Sequence, residues 1–418
     1  MLSNVETDCV VAGGGPAGIM AGLLFARAGI RTVVLEKHAD FLRDFRGDTV
    51  HPSTLEIMRE LGLLNAFLKL PHRRLSRLAG VFGKHRYNIA DFGSLDTACK
   101  FIVFVPQWHL LDFLAEAGRS LPALRIVMSA EVTGLIEMSG RVTGIRAITR
   151  DGPLEVRARL TIGADGRHSR VRDAAALKVT DVGAPIDVLW FSVPRRAKSE
   201  DEPLFNAGPG HIVITIDRGE YYQCAFVIAK GAAERLKEKG IAWFRSTVAQ
   251  TAERLAGDID AVTSWDDVKL LTVAIDRLES WSRPGLLMIG DAAHAMSPVG
   301  GVGINLAIQD AVAAANLLAA PLAGGYLADG DLMNVMARRS WPTRATQFAQ
   351  VRAQNNIITP LLDANAGPDA PWPVKLIAGL PFLQRQLARF VGLGVRPEHI
   401  RSPERYRIVP PQEPDRAR

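Results

Sequence analysis

The sequence contains few cysteines and no block of like charges. Cys9, Cys99 and Cys224 are the three cysteines of a 418-residue chain, and an odd number at such wide spacing predicts neither a disulfide framework nor a cysteine metal site. The scarcity fits a reducing compartment, so we expect a cytoplasmic protein without a bound metal. The 50 basic and 44 acidic residues leave a formal net charge of +6. Without a block rich in lysine or arginine, this charge predicts no nucleic-acid partner.

We also expect neither a secretory leader nor a membrane span. The first residues have neither the basic nor the apolar region of a signal peptide. The most apolar long stretch, residues 302–323, is interrupted by polar residues such as Gln309 and Asp310, so we interpret it as a buried helix. Disorder is excluded, since 48% hydrophobic and 22% charged residues are typical of globular proteins.

The chain opens with the pattern of a dinucleotide-binding unit. Residues 8–36 run as an apolar strand, a glycine-rich turn, a helix and a second strand. Gly13 permits the tight turn, Gly15 lets the backbone approach a pyrophosphate, and Gly18 lets helix and strand pack closely. Glu36 ends the second strand and can accept hydrogen bonds from a ribose. The segment predicts an adenine dinucleotide site, and on its own fits FAD and NAD equally.

A β-rich region interrupts this α/β pattern. Residues 186–194 and 211–229 are strand-like with no crossover helix between them, which indicates an antiparallel sheet. The α/β character returns at residues 286–291, before a long helix from about Ile304. Residues 403–418 have no clear pattern, and we expect them to be frayed. The α/β and β-rich parts should meet in a cleft, where ligand sites usually lie.

Three motifs lie far apart in the sequence. They are the opening G-x-G-x-x-G, Asp165-Gly166 after an apolar strand, and Gly290-Asp291 followed by Pro298-x-Gly300-Gly301-x-Gly303-x-Asn305. In this order they resemble the single-component FAD-dependent aromatic hydroxylases, the p-hydroxybenzoate hydroxylase-like flavoprotein monooxygenases, over about residues 5–350. The resemblance implies an α/β fold, with a discontinuous Rossmann-like FAD-binding domain, a mainly antiparallel β-sheet substrate domain and a C-terminal helical segment. The expected boundaries are 1–75, 101–180 and 276–350 for the FAD-binding domain, 76–100 and 181–275 for the substrate domain, and 351–418 for the C-terminal helices and tail.

The resemblance also assigns roles to individual residues. Arg46 would border the flavin, Gln107 the ribityl or phosphate region, and Asp291 the ribityl hydroxyls. The passage at Asp165 is associated with both FAD and NAD(P)H. Residues 300–305 would meet the N1–C2=O edge of the flavin. The expected cofactor-binding residues are Gly13, Gly15, Pro16, Ala17, Gly18, Glu36, Lys37, Arg46, Gln107, Asp165, Gly166, Asp291, Pro298, Gly301, Val302, Gly303, Ile304 and Asn305.

The assignment of residues 300–305 also follows from physical chemistry. Two-electron reduction leaves negative charge near flavin N1, and a helix N-terminus with free backbone donors stabilises such charge. Glycines at 300, 301 and 303 let the backbone come close. We expect these residues to stabilise the reduced cofactor.

Candidate catalytic residues are Arg46, Pro298 and Tyr222. Tyr221 and Tyr222 are adjacent on a predicted strand, where alternation sends one of them inward. The tyrosine that points inward either contacts a ligand or packs in the core, and the sequence does not distinguish these two roles.

Two histidines also need an interpretation. His294 follows the Gly290-Asp291 motif, but no histidine or cysteine stands at ligand spacing, so a structural role is favoured over metal binding. His51 is either a polar loop residue or a contact to substrate or flavin.

The implied activity is a monooxygenase reaction. Bound FAD, reduced by transiently bound NADH or NADPH, would react with O2 to a C4a-hydroperoxide and hydroxylate an aromatic or other electron-rich small molecule. No second G-x-G-x-x-G occurs for a nicotinamide domain. The expected assembly is a monomer or homodimer. The alternatives are a reductase or epoxidase of an isoprenoid-type substrate on the same fold, and a flavin-binding protein without turnover.

Overall fold

The computed structural model describes residues 3–42, 49–195, 204–363 and 369–411. In chain order the strands are β1 (Ser3–Ala12), β2 (Thr32–Leu35), β3 (Thr49–Val50), β4 (Arg73–Leu75), β5 (Arg77–Phe82), β6 (His85–Asp91), β7 (Ile102–Phe104), β8 (Leu124–Val127), β9 (Glu131–Met138), β10 (Arg141–Thr149), β11 (Gly152–Gly163), β12 (Val179–Asp181), β13 (Ile186–Pro194), β14 (Phe205–Gly208), β15 (His211–Asp217), β16 (Tyr221–Ala229), β17 (Lys269–Leu271), β18 (Asp276–Leu278), β19 (Ser282–Arg283) and β20 (Leu286–Met288).

The helices connect and cover these strands. They are α1 (Pro16–Arg27), α2 (Pro52–Glu60), α3 (Leu64–Phe67), α4 (Gln107–Gly118), α5 (Arg170–Ala174), α6 (Ala233–Glu238), α7 (Ile241–Thr251), α8 (Gly303–Ala323), α9 (Asp329–Ala353), α10 (Thr359–Leu361), α11 (Trp372–Gly379) and α12 (Pro381–Leu393). A π-helical turn, Gln354–Ile358, joins α9 to α10.

Within the described residues, an eight-stranded sheet contains the opening motif. Its central strands run parallel in the order β20-β11-β1-β2-β8. β9 and β10 form an antiparallel ribbon on β11, and β19 pairs antiparallel with β20. α1 packs against both α4 and α8. The predicted α/β class is confirmed, and the parallel strands come from three distant parts of the chain.

Two glycines allow the first strand–helix unit to close. Gly13 has φ +100°, and a Cβ there would lie 2.4 Å from the carbonyl oxygen of Ala164 at the end of β11. A Cβ at Gly18 would lie 1.8 Å from the carbonyl oxygen of Gly13. Because a real Cβ cannot approach that closely, α1 can pack this tightly on β1 only with glycine at position 18.

A seven-stranded sheet forms the β-rich part, again counting only the described residues. Its order is β17-β13-β16-β15-β14-β5-β6, and every neighbouring pair is antiparallel except β14 with β5. One face packs on α7 through an apolar cluster that includes Phe191, Phe226 and Phe244. The mainly antiparallel sheet is as predicted, and its other face is free to line a cavity.

The long apolar helix lies in the core. By length and composition the stretch Val299–Ala323 could cross a membrane, but 72% of its most apolar window is buried inside the molecule. α8 packs against α1 and α9. Its polar residues Asn305, Gln309 and Asp310 are buried, at 3% exposure or less. Burial in the protein explains the hydropathy of this helix.

The C-terminal tail is packed, so the prediction of fraying is wrong for residues 403–411. We call residues 394–411 the C-terminal strap. The guanidinium of Arg27 donates to the carbonyl oxygens of Ser402 and Pro403 and to the carboxylate of Glu404. Ile408 is 5% exposed. The strap is held by side chains that are remote in sequence, which local patterns do not reveal.

Candidate functional site

A cavity of about 1920 Å3 lies between the two sheets and the C-terminal helices. Pockets for one small ligand commonly span about 300–1,000 Å3. One half is lined by the glycine-rich turn after β1 and by residues that follow other parallel strands. The other half is lined by aliphatic and aromatic side chains of the seven-stranded sheet and of α11 and α12. The cavity therefore has room for a dinucleotide and a second, apolar ligand.

The dinucleotide half collects the ends of four parallel strands. Gly13 and Gly15 follow β1, Glu36 follows β2, Asp165 follows β11, and Asp291 lies shortly after β20, and all of them line the cavity. Ligands of open α/β sheets bind at this carboxyl edge. The further predicted cofactor residues that line the cavity are Pro16, Ala17, Lys37, Gln107, Gly166, Pro298, Gly301, Gly303 and Ile304.

The glycine-rich turn fits a pyrophosphate. Gly15 is the N-cap of α1, and a Cβ built on it would meet no atom within 4 Å. The space beside the helix N-terminus is thus open to a ligand, where backbone N–H groups and the helix dipole favour negative charge. Glu36 is 7% exposed and accepts hydrogen bonds from the N–H groups of Gly14 (2.8 Å) and His38 (3.0 Å). These bonds fix the carboxylate beside the turn.

Asp165 is tied to the start of α5. Its carboxylate accepts hydrogen bonds from the Ser169 hydroxyl and from the Val171 N–H at 3.1 Å. Burial raises the pKa of Asp165 above its ordinary value, although these bonds oppose the shift. The carboxylate therefore orders the turn at Gly166, which has φ +84° and lines the cavity.

Asp291 is paired with an arginine that sequence reasoning missed. The Arg167 guanidinium donates to the Asp291 carboxylate at 3.2 Å, and the two side chains are 27% and 32% exposed. Both residues line the cavity. Arg167 directly follows the Asp165-Gly166 motif, and this position next to a motif could have identified it as a site residue from the sequence.

The turn before α8 presents backbone donors to the cavity. Gly300 and Gly301 have φ +81° and +64°. The first helical hydrogen bond of α8 runs from the Leu306 N–H to the Val302 carbonyl. The N–H groups of residues 303–305 therefore lie in the first turn, before the regular helical hydrogen bonds begin. Gly303 and Ile304 line the cavity, which is the arrangement expected for an anionic flavin edge.

Four predicted residues do not contact the cavity as expected. Gly18 packs against Gly13, and Val302 lies outside the cavity lining. The Asn305 side chain is used internally: its oxygen accepts from the N–H of His51 and the hydroxyl of Thr54, and its nitrogen donates to the carbonyls of Thr49 and Gly301. Asn305 thus joins β3, α2 and the turn before α8, and its side-chain oxygen and nitrogen are engaged within the protein.

Tyr222 is the fourth of these residues, and the structure places this catalytic candidate away from the cavity. On β16, Ala225 and Val227 line the cavity, whereas Tyr222 belongs to the apolar cluster beneath α7 on the opposite face. Its hydroxyl accepts a hydrogen bond from Arg195 at 3.3 Å. The other two catalytic candidates differ: Pro298 lines the cavity, and Arg46 lies outside the described residues.

Three buried glutamines, also missed, hold the loop that contains Pro298. Gln347 donates to the Ala295 carbonyl, Gln350 to the carbonyls of Ser297 and Val299, and Gln354 to the Ser297 hydroxyl. All three are at most 5% exposed. Their spacing places them on one side of α9 and the following π-turn. This ladder fixes loop 295–299 relative to α9.

His294 belongs to a buried charge cluster. Its Nε2 donates a hydrogen bond to the Asp310 carboxylate at 2.6 Å. This carboxylate also accepts hydrogen bonds from the Gly290 N–H and from Arg339 Nε at 3.0 Å. Burial opposes ionisation of Asp310, but the charges and hydrogen bonds of His294 and Arg339 outweigh it and lower its pKa. Within the described residues no cluster of metal-ligating side chains occurs. The hydrogen bond of His294 to Asp310 is consistent with the structural role that the sequence favoured over metal binding.

His51 is a neutral, buried histidine beside the cavity. It is 0% exposed, and its Nδ1 donates to the Val391 carbonyl at 2.7 Å. Burial lowers the pKa of His51 to about 4, against the smaller opposing effect of the Val391 bond. His51 lines the cavity, and it links α2 to the end of α12.

We expect this histidine to make stability depend on pH. Below about pH 6.5 the unfolded chain protonates His51 while the folded protein does not, so the free energy of unfolding falls as the pH drops towards 4. The loss reaches about 3 kcal/mol at the lower end. Urea unfolding of the wild type and of His51→Gln at several pH values should show a flatter profile for the variant. Exposed His85→Gln is the control, and a profile for His51→Gln that parallels the wild type would contradict the expectation.

Comparisons with known proteins agree with this geometry. A family model described as an FAD binding domain matches residues 6–347. The chain is 31% identical over 403 residues to 6-methylpretetramide 4-monooxygenase of Streptomyces rimosus, covering 96% of this chain and 95% of that protein. It is 29% identical to 12-dehydrotetracycline 5-monooxygenase/anhydrotetracycline 6-monooxygenase of Streptomyces rimosus subsp. rimosus, covering 84% and 70%. The fold also matches a P. aeruginosa protein solved with 2-aminobenzoylacetate, at TM-score 0.73 and 22% identity, over 87% and 98%.

Proposed function

We propose that this chain, which belongs to the FAD-binding-domain family of flavoprotein monooxygenases, hydroxylates a polycyclic aromatic compound with NAD(P)H and O2. The proposal rests on one cavity that joins a dinucleotide half to a large apolar half. The names of the two Streptomyces relatives support the substrate class, since both act on fused polycyclic compounds.

The side chains of this protein would bind and orient the reactants. Glu36 would accept hydrogen bonds from the adenosine ribose, Asp291 would accept them from the ribityl hydroxyls, and the N–H groups before Leu306 would stabilise negative charge on the flavin edge. When bound, FAD supplies the electron transfer and oxygen activation. The apolar sheet face would exclude water and hold the aromatic ring of the substrate. The glutamine ladder keeps the Pro298 loop in place during turnover.

NADH or NADPH is the proposed reductant. Arg167 and Arg170 line the cavity next to Gly166, and the positive charge of the two guanidinium groups suits a ligand with several phosphates. This charge would also contribute to binding the FAD pyrophosphate. The three cysteines are buried and free, and we place the enzyme in the cytoplasm because this state fits a reducing compartment.

The test is substrate-stimulated oxidation of NAD(P)H by the purified protein. We expect a yellow protein whose NAD(P)H oxidation rises severalfold with 6-methylpretetramide or a related polycyclic phenol, and whose product contains an atom from labelled O2. Asp291→Ala, which removes the carboxylate from the cavity, should lose most of its FAD while the β-rich part stays folded by circular dichroism. The matched control is Asp329→Ala, an exposed surface residue.

Different results separate the alternatives. Substrate-dependent NAD(P)H oxidation without incorporation of labelled oxygen would indicate a reductase. Incorporation as an epoxide of an isoprenoid would indicate the epoxidase. Bound FAD with no turnover on any substrate would indicate a flavin-binding protein, and a protein with no flavin affinity would overturn the proposal. Retained FAD affinity in Asp291→Ala would show that Asp291 is misassigned.

A further inference from the structure

The apolar half of the cavity is larger than one aromatic ring requires. The whole cavity measures about 1920 Å3. If the dinucleotide takes the upper end of the usual range for one ligand, about 1,000 Å3, then about 900 Å3 remains for the substrate. The second ligand therefore has almost as much room as the first.

The floor of this half is a row of residues across the seven-stranded sheet. Strand pairing aligns Trp190, Ala225, Ile214 and Phe205. Adjacent strands lie about 4.8 Å apart, so the row from Trp190 to Phe205 spans about 14 Å. Trp190, Ile214 and Phe205 are partly exposed and line the cavity. We call these three residues the floor, which is aromatic at both ends and aliphatic between them.

A glycine on the next strand makes room for the Phe205 ring. Gly80 on β5 pairs with Phe205 on β14, and a Cβ built on Gly80 would lie 2.2 Å from Cζ of Phe205. The phenyl ring therefore occupies the place of the side chain that Gly80 lacks. Phe82 contacts the ring edge-on, with centroids 5.5 Å apart. The ring thus lies over β5 beside the cavity.

We propose that Gly80 and Phe205 are specificity-determining residues that admit planar, fused polycyclic aromatic substrates. The inference rests on the proposed function and adds the size limit of its substrate site. With any larger residue at position 80, the Phe205 ring must leave its place over β5. Phe82 blocks one side of the ring, so the open direction is the cavity. The floor would then hold a single ring but not a fused system.

The test is the binding of two aromatic probes to the FAD-loaded enzyme, which is measured by the change in flavin absorbance. The probes are anhydrotetracycline, which has four fused rings, and 4-hydroxybenzoate, which has one. We expect Gly80→Ala to weaken anhydrotetracycline binding by about tenfold or more, as overpacking does, and to leave 4-hydroxybenzoate binding nearly unchanged. Phe205→Leu removes the ring, and the double variant Gly80→Ala/Phe205→Leu should recover most of the lost affinity.

The remaining outcomes decide against the proposal. Equal weakening of both probes, or loss of FAD in Gly80→Ala, would mean that Gly80 has a structural role only. Failure of Phe205→Leu to rescue the double variant would overturn the role of the ring. A wild-type enzyme that is yellow and active on monocyclic phenols but does not bind anhydrotetracycline would overturn the size limit alone. Wild-type protein without FAD would overturn the proposed function instead. FAD content and thermal unfolding of each sample show that the variants are folded.

Discussion

Replacing Arg339 by methionine should lower the free energy of unfolding by about 3–5 kcal/mol, because it removes the buried cation that two buried carboxylates share. Arg339 is 0% exposed and donates to Asp310 at 3.0 Å, to Glu398 at 3.3 Å and to the Arg396 carbonyl at 3.0 Å. Asp310 also accepts from the Gly290 N–H, one residue before Asp291. FAD affinity should therefore fall along with stability.

Arg338→Met is the matched control. Arg338 also binds Glu398, at 2.8 Å, but its side chain is 29% exposed. We expect a cost of at most about 1 kcal/mol for this half-solvated pair. The double variant Arg339→Met/Asp310→Asn removes both charges and should cost less than the sum of the single changes. Urea unfolding and FAD titration measure these effects, and an Arg339→Met variant as stable as Arg338→Met would refute the account.

Gly18→Ala should reduce both stability and FAD binding. The added methyl group would lie 1.8 Å from the Gly13 carbonyl oxygen and 3.4 Å from Val11, so α1 must move away from β1. Overpacking of this kind costs about 1–3 kcal/mol. Displacement of the glycine-rich turn should also weaken FAD binding by at least about tenfold, since about 1.4 kcal/mol of lost contact suffices.

Gly15→Ala separates the two effects. Gly15 has φ −71°, and a Cβ there meets nothing within 4 Å. This variant should unfold like the wild type, yet lose FAD affinity because its methyl group enters the space proposed for the pyrophosphate. FAD titration and thermal unfolding of both variants make the comparison. Equal stability losses in the two variants, or normal FAD affinity in Gly15→Ala, would contradict this interpretation of the turn.

The sequence was most informative where structure is determined locally. The order of strand, glycine-rich turn, helix and strand at residues 8–36 depends on neighbours in the chain, and β1, α1 and β2 follow it closely. The polar residues in the apolar stretch 302–323 indicated a core helix correctly. The three motifs were enough for the family, because each contains glycines that its backbone geometry requires.

The sequence was least informative where contacts join distant segments. The face of β16 that lines the cavity depends on which strands flank it and where α7 packs, so alternation alone did not place Tyr222. Arg167 and Gln350 act through partners more than 50 residues away. No local pattern announces such pairs, and the same is true of the bonds that hold the strap to Arg27.

The strap has a consequence for how the protein is made. Arg339 is neutralised in part by Glu398 and the Arg396 carbonyl, and α1 is covered by residues 402–406 through Arg27. During synthesis the first strand–helix unit leaves the ribosome long before these partners exist. The packing of Arg339 and of the end of α1 is therefore completed only after residues 394–411 have been synthesised.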